Sequence, residues 1–143
     1  MLDMGINVLL CVMLTGSAWI DIRRKQISLL WIILFAVLGG VVNVILHRNT
    51  LWSALGGICI GAFLIGISRI TRGAIGLGDG CIVCVTGVYL GFYKNMQLLL
   101  GALVLAALWG MILLILRRAG RKTELPFVPF LCAAHVIVWA AGG

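Results

Sequence analysis

The chain of 143 residues is 63% hydrophobic and 10% charged, with a net charge of +7. A soluble domain is about half apolar and a quarter charged, so there is too little polar surface here to cover a water-soluble globule. The basic excess would suit a nucleic-acid partner, but it falls in short turns between apolar runs, which is the pattern of membrane topology.

A bilayer-crossing helix needs about 20 mostly apolar residues. Six runs approach that length: Gly5–Ile20, Ser28–Leu46, Leu51–Ser68, Ala74–Tyr93, Met96–Leu116 and Pro126–Ala141. The first is short, and only Asp3 precedes it as a charge. A cleaved signal peptide wants a basic start, so this run is read as a retained helix. It ends at Asp21, and the turn Asp21–Ile27 carries Arg23, Arg24 and Lys25. The second and third runs are separated by His47–Thr50 and followed by Arg69–Gly73. The fourth opens in a glycine-rich stretch, with Gly73, Gly76, Gly78 and Gly80 around Asp79. Lys94–Asn95 is read as a short turn before the fifth run, and Arg117–Leu125 leads into the last.

Spans joined this way predict an all-α fold: one polytopic membrane bundle of about six transmembrane helices over residues 1–143, with neighbours in sequence adjacent in space. With the N-terminus outside, Arg23, Arg24, Lys25, Arg69, Arg72, Arg117, Arg118, Arg121 and Lys122 fall inside. Only Arg48 and Lys94 stay outside, which is the charge bias that sets membrane orientation. The inside cations can also meet anionic lipid headgroups. Gly57-xxx-Gly61 and Gly87-xxx-Gly91 allow close helix approach. They read as packing within the bundle, with a homo-oligomer as the alternative.

The chain has four acidic residues, and an ionisable group in a membrane segment is a functional candidate by default. Asp21 and Asp79 lie at the same predicted face, at the end of the first run and the start of the fourth. Two carboxylates brought together cannot both ionise cheaply, so one holds a proton while the other is charged. The charged one can take a proton from water and the protonated one can polarise a carbonyl. This is the chemistry of an aspartic protease. The glycines around Asp79 tolerate irregular backbone and let a peptide approach. Glu124, just before Pro126, is read first as a charge suited to the start of the last helix, with a direct role in the site as the alternative. Pro126 suits a first helical turn.

The remaining chemistry-bearing residues point nowhere else. Cys81-Ile-Val-Cys84 has metal-like spacing, but no second pair accompanies it, so Cys11, Cys59, Cys81, Cys84 and Cys132 read as small apolar packing residues. His47 and His135 belong to the outside half, away from both aspartates. No metal site and no cofactor are expected.

Three segments, in order, carry a resemblance. Asp21-Ile-Arg-Arg-Lys-Gln-Ile27 resembles an Asp-x-Arg-x-x-x-Ile segment, Gly76-Leu-Gly-Asp79 a GxGD motif, and Pro126-Phe-Val-Pro-Phe130 a Pro-Phe-x-Pro-Phe stretch. Together they resemble the type IV prepilin peptidase family of GxGD membrane aspartyl proteases, in its short form without an N-methyltransferase region.

The resemblance implies that Asp21 and Asp79 are the catalytic pair, supported by Gly76, Gly78, Gly80, Glu124, Pro126 and Pro129. It implies cleavage of a basic leader from prepilin or pseudopilin precursors, after a glycine and before an apolar helix. It places the protein in the cell (inner or plasma) membrane, with its site facing the cytoplasm, and implies cleavage without methylation. Ser28 stands where the family has a proline or polar turn residue, and Cys81 where it has a lysine. Two alternatives of other classes remain: a transporter or channel subunit using Asp79 as an ion or proton site, and a non-catalytic scaffold for pilus or secretion assembly.

Overall fold

The structure is a computed structural model that describes residues 2–24, 29–46, 50–71, 76–116 and 126–141. Among the described residues it is all-helical: α1 (Leu2–Arg24), α2 (Leu29–Leu46), α3 (Leu51–Ile70), α4 (Leu77–Ile115) and α5 (Val128–Ala140). Met4–Arg23 of α1, all of α3 and all of α4 are long and apolar enough to cross a membrane, while α2 and α5 are shorter apolar helices. The outer surface is apolar, with Leu30, Trp52 and Ile70 each about 80% exposed, as a surface that meets lipid must be. The protein is an all-α membrane protein.

The six expected runs emerge as five helices, with three corrections. First, α1 does not stop at Ile20. It continues through Asp21 to Arg24, so Asp21 sits one turn inside a helix rather than in a loop. Arginines are good helix formers and their charge suits a helix C-terminus. Second, the expected Lys94–Asn95 turn is helical. The break lies earlier, at Gly91, with φ 74 and ψ −176. A straight helix would hold residues 83 and 95 about 18 Å apart. Asn95 Nδ2 nevertheless donates to the Val83 carbonyl at 3.1 Å. The chain therefore doubles back at Gly91, and α4 is two antiparallel arms, 77–90 and 92–115. Only glycine adopts that backbone without strain, which is why the reversal sits there and not at the charged pair. Third, α5 starts at Val128, so Pro129 and not Pro126 occupies its first turn.

The first arm of α4 is the centre of the molecule. Ile82, Val83, Val85, Thr86, Gly87 and Tyr89 are all buried. On one side α3 lies against it at backbone contact. A Cβ on Gly57 would come 2.5 Å from the Gly87 carbonyl oxygen, and one on Gly61 would meet the Cys84 nitrogen. The GxxxG pairs thus pack within the bundle, against each other. On another side α2 is held by Tyr89, whose hydroxyl donates to the Phe35 carbonyl at 2.9 Å, and by Asn43 Nδ2 donating to the Val88 carbonyl at 3.3 Å.

Asn95 locks the reversal. Its amide donates to Gly57 of α3 and Val83 of α4, and its oxygen accepts from Thr86 at 2.8 Å. Asn95 and Thr86 are fully buried, so all these polar atoms depend on one another. The first and last helices close the bundle: α1 and α5 pack antiparallel, with the His135 ring nitrogen 3.3 Å from the Asn7 carbonyl oxygen and Cys132 Sγ 3.5 Å from Thr15 Oγ1. Leu10, Met13 and Leu14 of α1 join Ile82 and Leu98 of α4 and Leu131 of α5 in the core.

Candidate active site

The GxGD segment folds as a helix start. Gly76 is the N-cap of α4, with extended φ −62 and ψ 130. Three residues on, the Asp79 carboxylate turns back and accepts from the Gly76 backbone N–H. The Asp79 amide in turn donates to the Gly76 carbonyl at 3.1 Å. This is half of a capping box, with the acid at the third helical position returning to the cap. A Cβ on residue 76 would lie 2.8 Å from Asp79 Oδ2, so a larger residue there would push the carboxylate off the cap. Gly80 is constrained by another neighbour: a Cβ there would come 2.6 Å from Ile65 Cγ1 of α3. Gly78 is half-buried in the same first turn. The spacing of the motif thus places Asp79 at the tip of the central helix, half-buried and held by its own backbone.

Asp21 reaches the same place from α1. The antiparallel pairing of α1 with α5 and of α3 with α4 puts the C-terminal ends of α1 and α3 and the N-terminal ends of α4 and α5 at one end of the bundle. There the charge of Asp21 acts directly on Asp79. Both carboxylates are half-buried. The structure therefore places the two aspartates, from distant parts of the chain, at one end of the bundle and within range of each other's charge. Such a pair holds a single proton between its members more easily than it holds two charges or none.

The surroundings fix α1 near Asp21. Ser17, one turn before Asp21 and fully buried, accepts from Trp31 Nε1 of α2 at 3.1 Å. The Trp31 ring fills the space above Gly16, where a Cβ would come within 2.9 Å of it, and stacks on Phe35 with ring centroids 5.0 Å apart. Sequence reading passed over Ser17 and Trp31. The signal was present: Ser17 is at i−4 from Asp21, on the same helical face. It also passed over Asn95, which it placed in a turn. Arg23 lies over the exposed Trp19 ring, 4.9 Å from its centroid.

The other expected site residues divide. Pro126 is half-buried ahead of α5 and Pro129 is half-buried in its first turn, both at the aspartate end. Glu124 lies outside the described residues. His135 is buried against Asn7, toward the opposite end, and His47 lies outside the described residues. Cys11 and Cys132 stand together between α1 and α5, Cys81 and Cys84 are half-buried on α4, and Cys59 is exposed on α3. Among the described residues no three side chains gather as metal ligands.

No curated protein and no solved structure matches the chain. The sequence profile of the type IV leader peptidase family matches residues 8–111, a stretch that includes both aspartates and the GxGD turn. That is well over half of the chain, and it runs from α1 into the second arm of α4. The chain belongs to the type IV leader peptidase family.

Proposed function

We propose that the protein is a membrane aspartic endopeptidase that removes the basic leader from type IV prepilin-like precursors at the cytosolic face. Asp21 and Asp79 activate the water. The observation that supports this reading is the placement of both carboxylates at one end of the bundle, within range of each other's charge. With one proton shared, the charged carboxylate draws a proton from a water molecule while the protonated one hydrogen-bonds the scissile carbonyl. The water oxygen adds to the carbonyl carbon, and the proton passes on to the leaving amine. The pair acts as a unit, so neither residue is assigned as acid or base.

An end-on position suits a cut beside an apolar helix, because the scissile segment must be unwound and reached by water. Aromatic residues at both ends support the same depth. Trp19 stands beside Arg23 at the aspartate end, and Trp52, Tyr93 and Trp139 stand at the other, where amphipathic rings meet headgroups. The inside assignment of the aspartate end rests on the nine basic residues that flank it. A transported ion would need an acid near the membrane midplane. Asp79 sits instead in the first turn of α4.

The test is cleavage of a prepilin-type peptide by the purified chain in liposomes, with Asp21→Asn and Asp79→Asn beside the wild type. The wild type cleaves and each variant loses cleavage while keeping its helical content. Wild-type rates from both variants would end the dyad assignment.

A further inference from the structure

One stripe of the central helix is left uncovered. Leu77, Cys81, Cys84 and Val88 follow one another at i, i+4, i+7 and i+11, which is a single face of a helix. Leu77 is exposed and the other three are half-buried, while Gly80, Ile82, Val83, Val85, Thr86, Gly87 and Tyr89 around them are buried. The stripe lies between α2 and α3. Both helices pack on α4, but among the described residues they share no packed interface with each other.

The walls can be assigned from the contacts. On α2, Trp31 turns toward Ser17 of α1, and Val42 lines a small cavity with Ile6 of α1. The opposite edge of α2, Ala36 and Gly40, therefore borders the stripe. A Cβ on Gly40 would meet nothing within 4 Å. On α3, Gly56 faces Phe92, whereas the Ile58 carbonyl accepts from Cys84 Sγ at 3.5 Å. Ile58, Ala62 and Ile65 therefore form the second wall.

The far end of this seam is closed by the Asn43 to Val88 hydrogen bond. The near end reaches Leu77, inside the GxGD turn. Elsewhere the outer surface carries large side chains such as Leu30, Ile33, Leu34, Val37 and Phe63. Here Ala36, Gly40, Ala62, Cys81 and Cys84 set small side chains among the larger Ile58, Ile65, Leu77 and Val88, which lets a partner backbone come close along part of the seam. From residue 77 to 88 the seam is about 16 Å long, or three turns of a helix.

We propose that the seam between α2 and α3 receives the apolar helical segment that follows the scissile bond of the substrate. This rests on the peptidase reading above. The seam ends at the motif that carries Asp79, is blind at the other end, and is shaped for a helix rather than for mobile acyl chains. Asp79 stands on the flank of α4 that meets α1, so the joining residues cross the N-terminal end of the helix. That width is about 10 Å, which three extended residues span. Gly76 and Gly78 present backbone alone at this crossing.

The native thiols make the proposal testable by cross-linking. One variant keeps Cys81 and Cys84, with Cys11, Cys59 and Cys132 changed to alanine. A second keeps Cys11 and Cys132, with the other three changed to alanine. The probe is a synthetic peptide with a basic leader and an apolar helix, its single cysteine about eight residues past the cleavage site, mid-seam by the helical rise. Each variant is reconstituted in liposomes, and cleavage and copper-catalysed disulfide cross-linking are read in parallel.

The first variant cleaves and becomes cross-linked, and the second, which lacks the two seam thiols, does not become cross-linked. Cleavage without cross-linking of the first, or equal cross-linking of both, overturns the seam and leaves the peptidase reading standing. Absence of cleavage by wild type and both variants overturns that reading, and the seam assignment with it. A second measurement guards against local distortion by the alanines. Ala62→Phe fills the exposed wall and raises KM about tenfold with kcat unchanged. The rise disappears for a peptide truncated before its apolar segment, which a merely structural defect would not allow. A persistent rise with the truncated peptide overturns the assignment.

Discussion

The close approach of α3 and α4 can be tested with one methyl group. In Gly57→Ala the new Cβ would lie 2.5 Å from the Gly87 carbonyl oxygen, 2.8 Å from its Cα and 2.9 Å from its carbonyl carbon. All three are backbone atoms, so no rotamer change relieves the clash and the helices must separate. Ordinary contact begins at 3.4 Å, so the separation is about 0.9 Å. Overpacking of this kind costs about 1–3 kcal/mol, or roughly 3–10 °C in Tm for a chain of this size. Because α3 also braces Gly80 through Ile65, the shift is passed to the turn that holds Asp79. A displacement near 1 Å at a reacting group costs up to about 100-fold in rate.

The assay pairs thermal unfolding in detergent with kcat for prepilin-type cleavage in liposomes. The control is Gly66→Ala in the same helix, where a Cβ meets nothing within 4 Å. Removing an interior helical glycine there is neutral or stabilising by up to about 1 kcal/mol. Gly57→Ala should lose kcat and Tm, and Gly66→Ala should lose neither. If the two variants behave alike, the backbone contact does not hold Asp79 in place.

Three further outcomes are expected. Asp21→Asn and Asp79→Asn should each lower kcat by at least about 1000-fold, because either change removes the shared ionisable proton, while circular dichroism stays helical. Gly91→Ala should destabilise by about 1–3 kcal/mol in a denaturant titration, because φ 74 with ψ −176 is a glycine conformation. A neutral result there would mean that the chain does not reverse at this residue. Asn95→Leu keeps the volume but removes the hydrogen bonds to the Gly57 and Val83 carbonyls and to the Thr86 hydroxyl, which is left with only the Val83 carbonyl at 3.1 Å. It should cost about 1–3 kcal/mol by the same titration and be partly offset by Thr86→Val, which removes one polar group that has lost a partner.

Apolar runs and the dispersal of charge made the helices legible, because a membrane segment must be both long and nearly uncharged. The placement of Asp21 and Asp79 at one end followed from counting spans. The count itself was less secure. Lys94 and Asn95 look like a polar turn, yet Asn95 is fully buried, since a side chain that satisfies three neighbours is stable where a lone one is not. Gly91 gave no local warning among 19 glycines, because nothing in composition separates a packing glycine from one that takes a positive φ. Asp21 was read as a loop residue because charge breaks a hydropathy pattern, although it does not break a helix. The capping role of Asp79 was readable in principle, as an acid three residues after a glycine. The convergence with Asp21 was not, since it depends on which helices become neighbours.

The pairing of α1 with α5 has a consequence for biosynthesis. Asn7 meets His135, and Thr15 meets Cys132, so α1 gains these contacts only after α2, α3 and α4 have been made. Before that, Trp31 of α2 is the contact that steadies α1 near Asp21. The end of the bundle that carries both aspartates therefore closes only when α5 packs against α1.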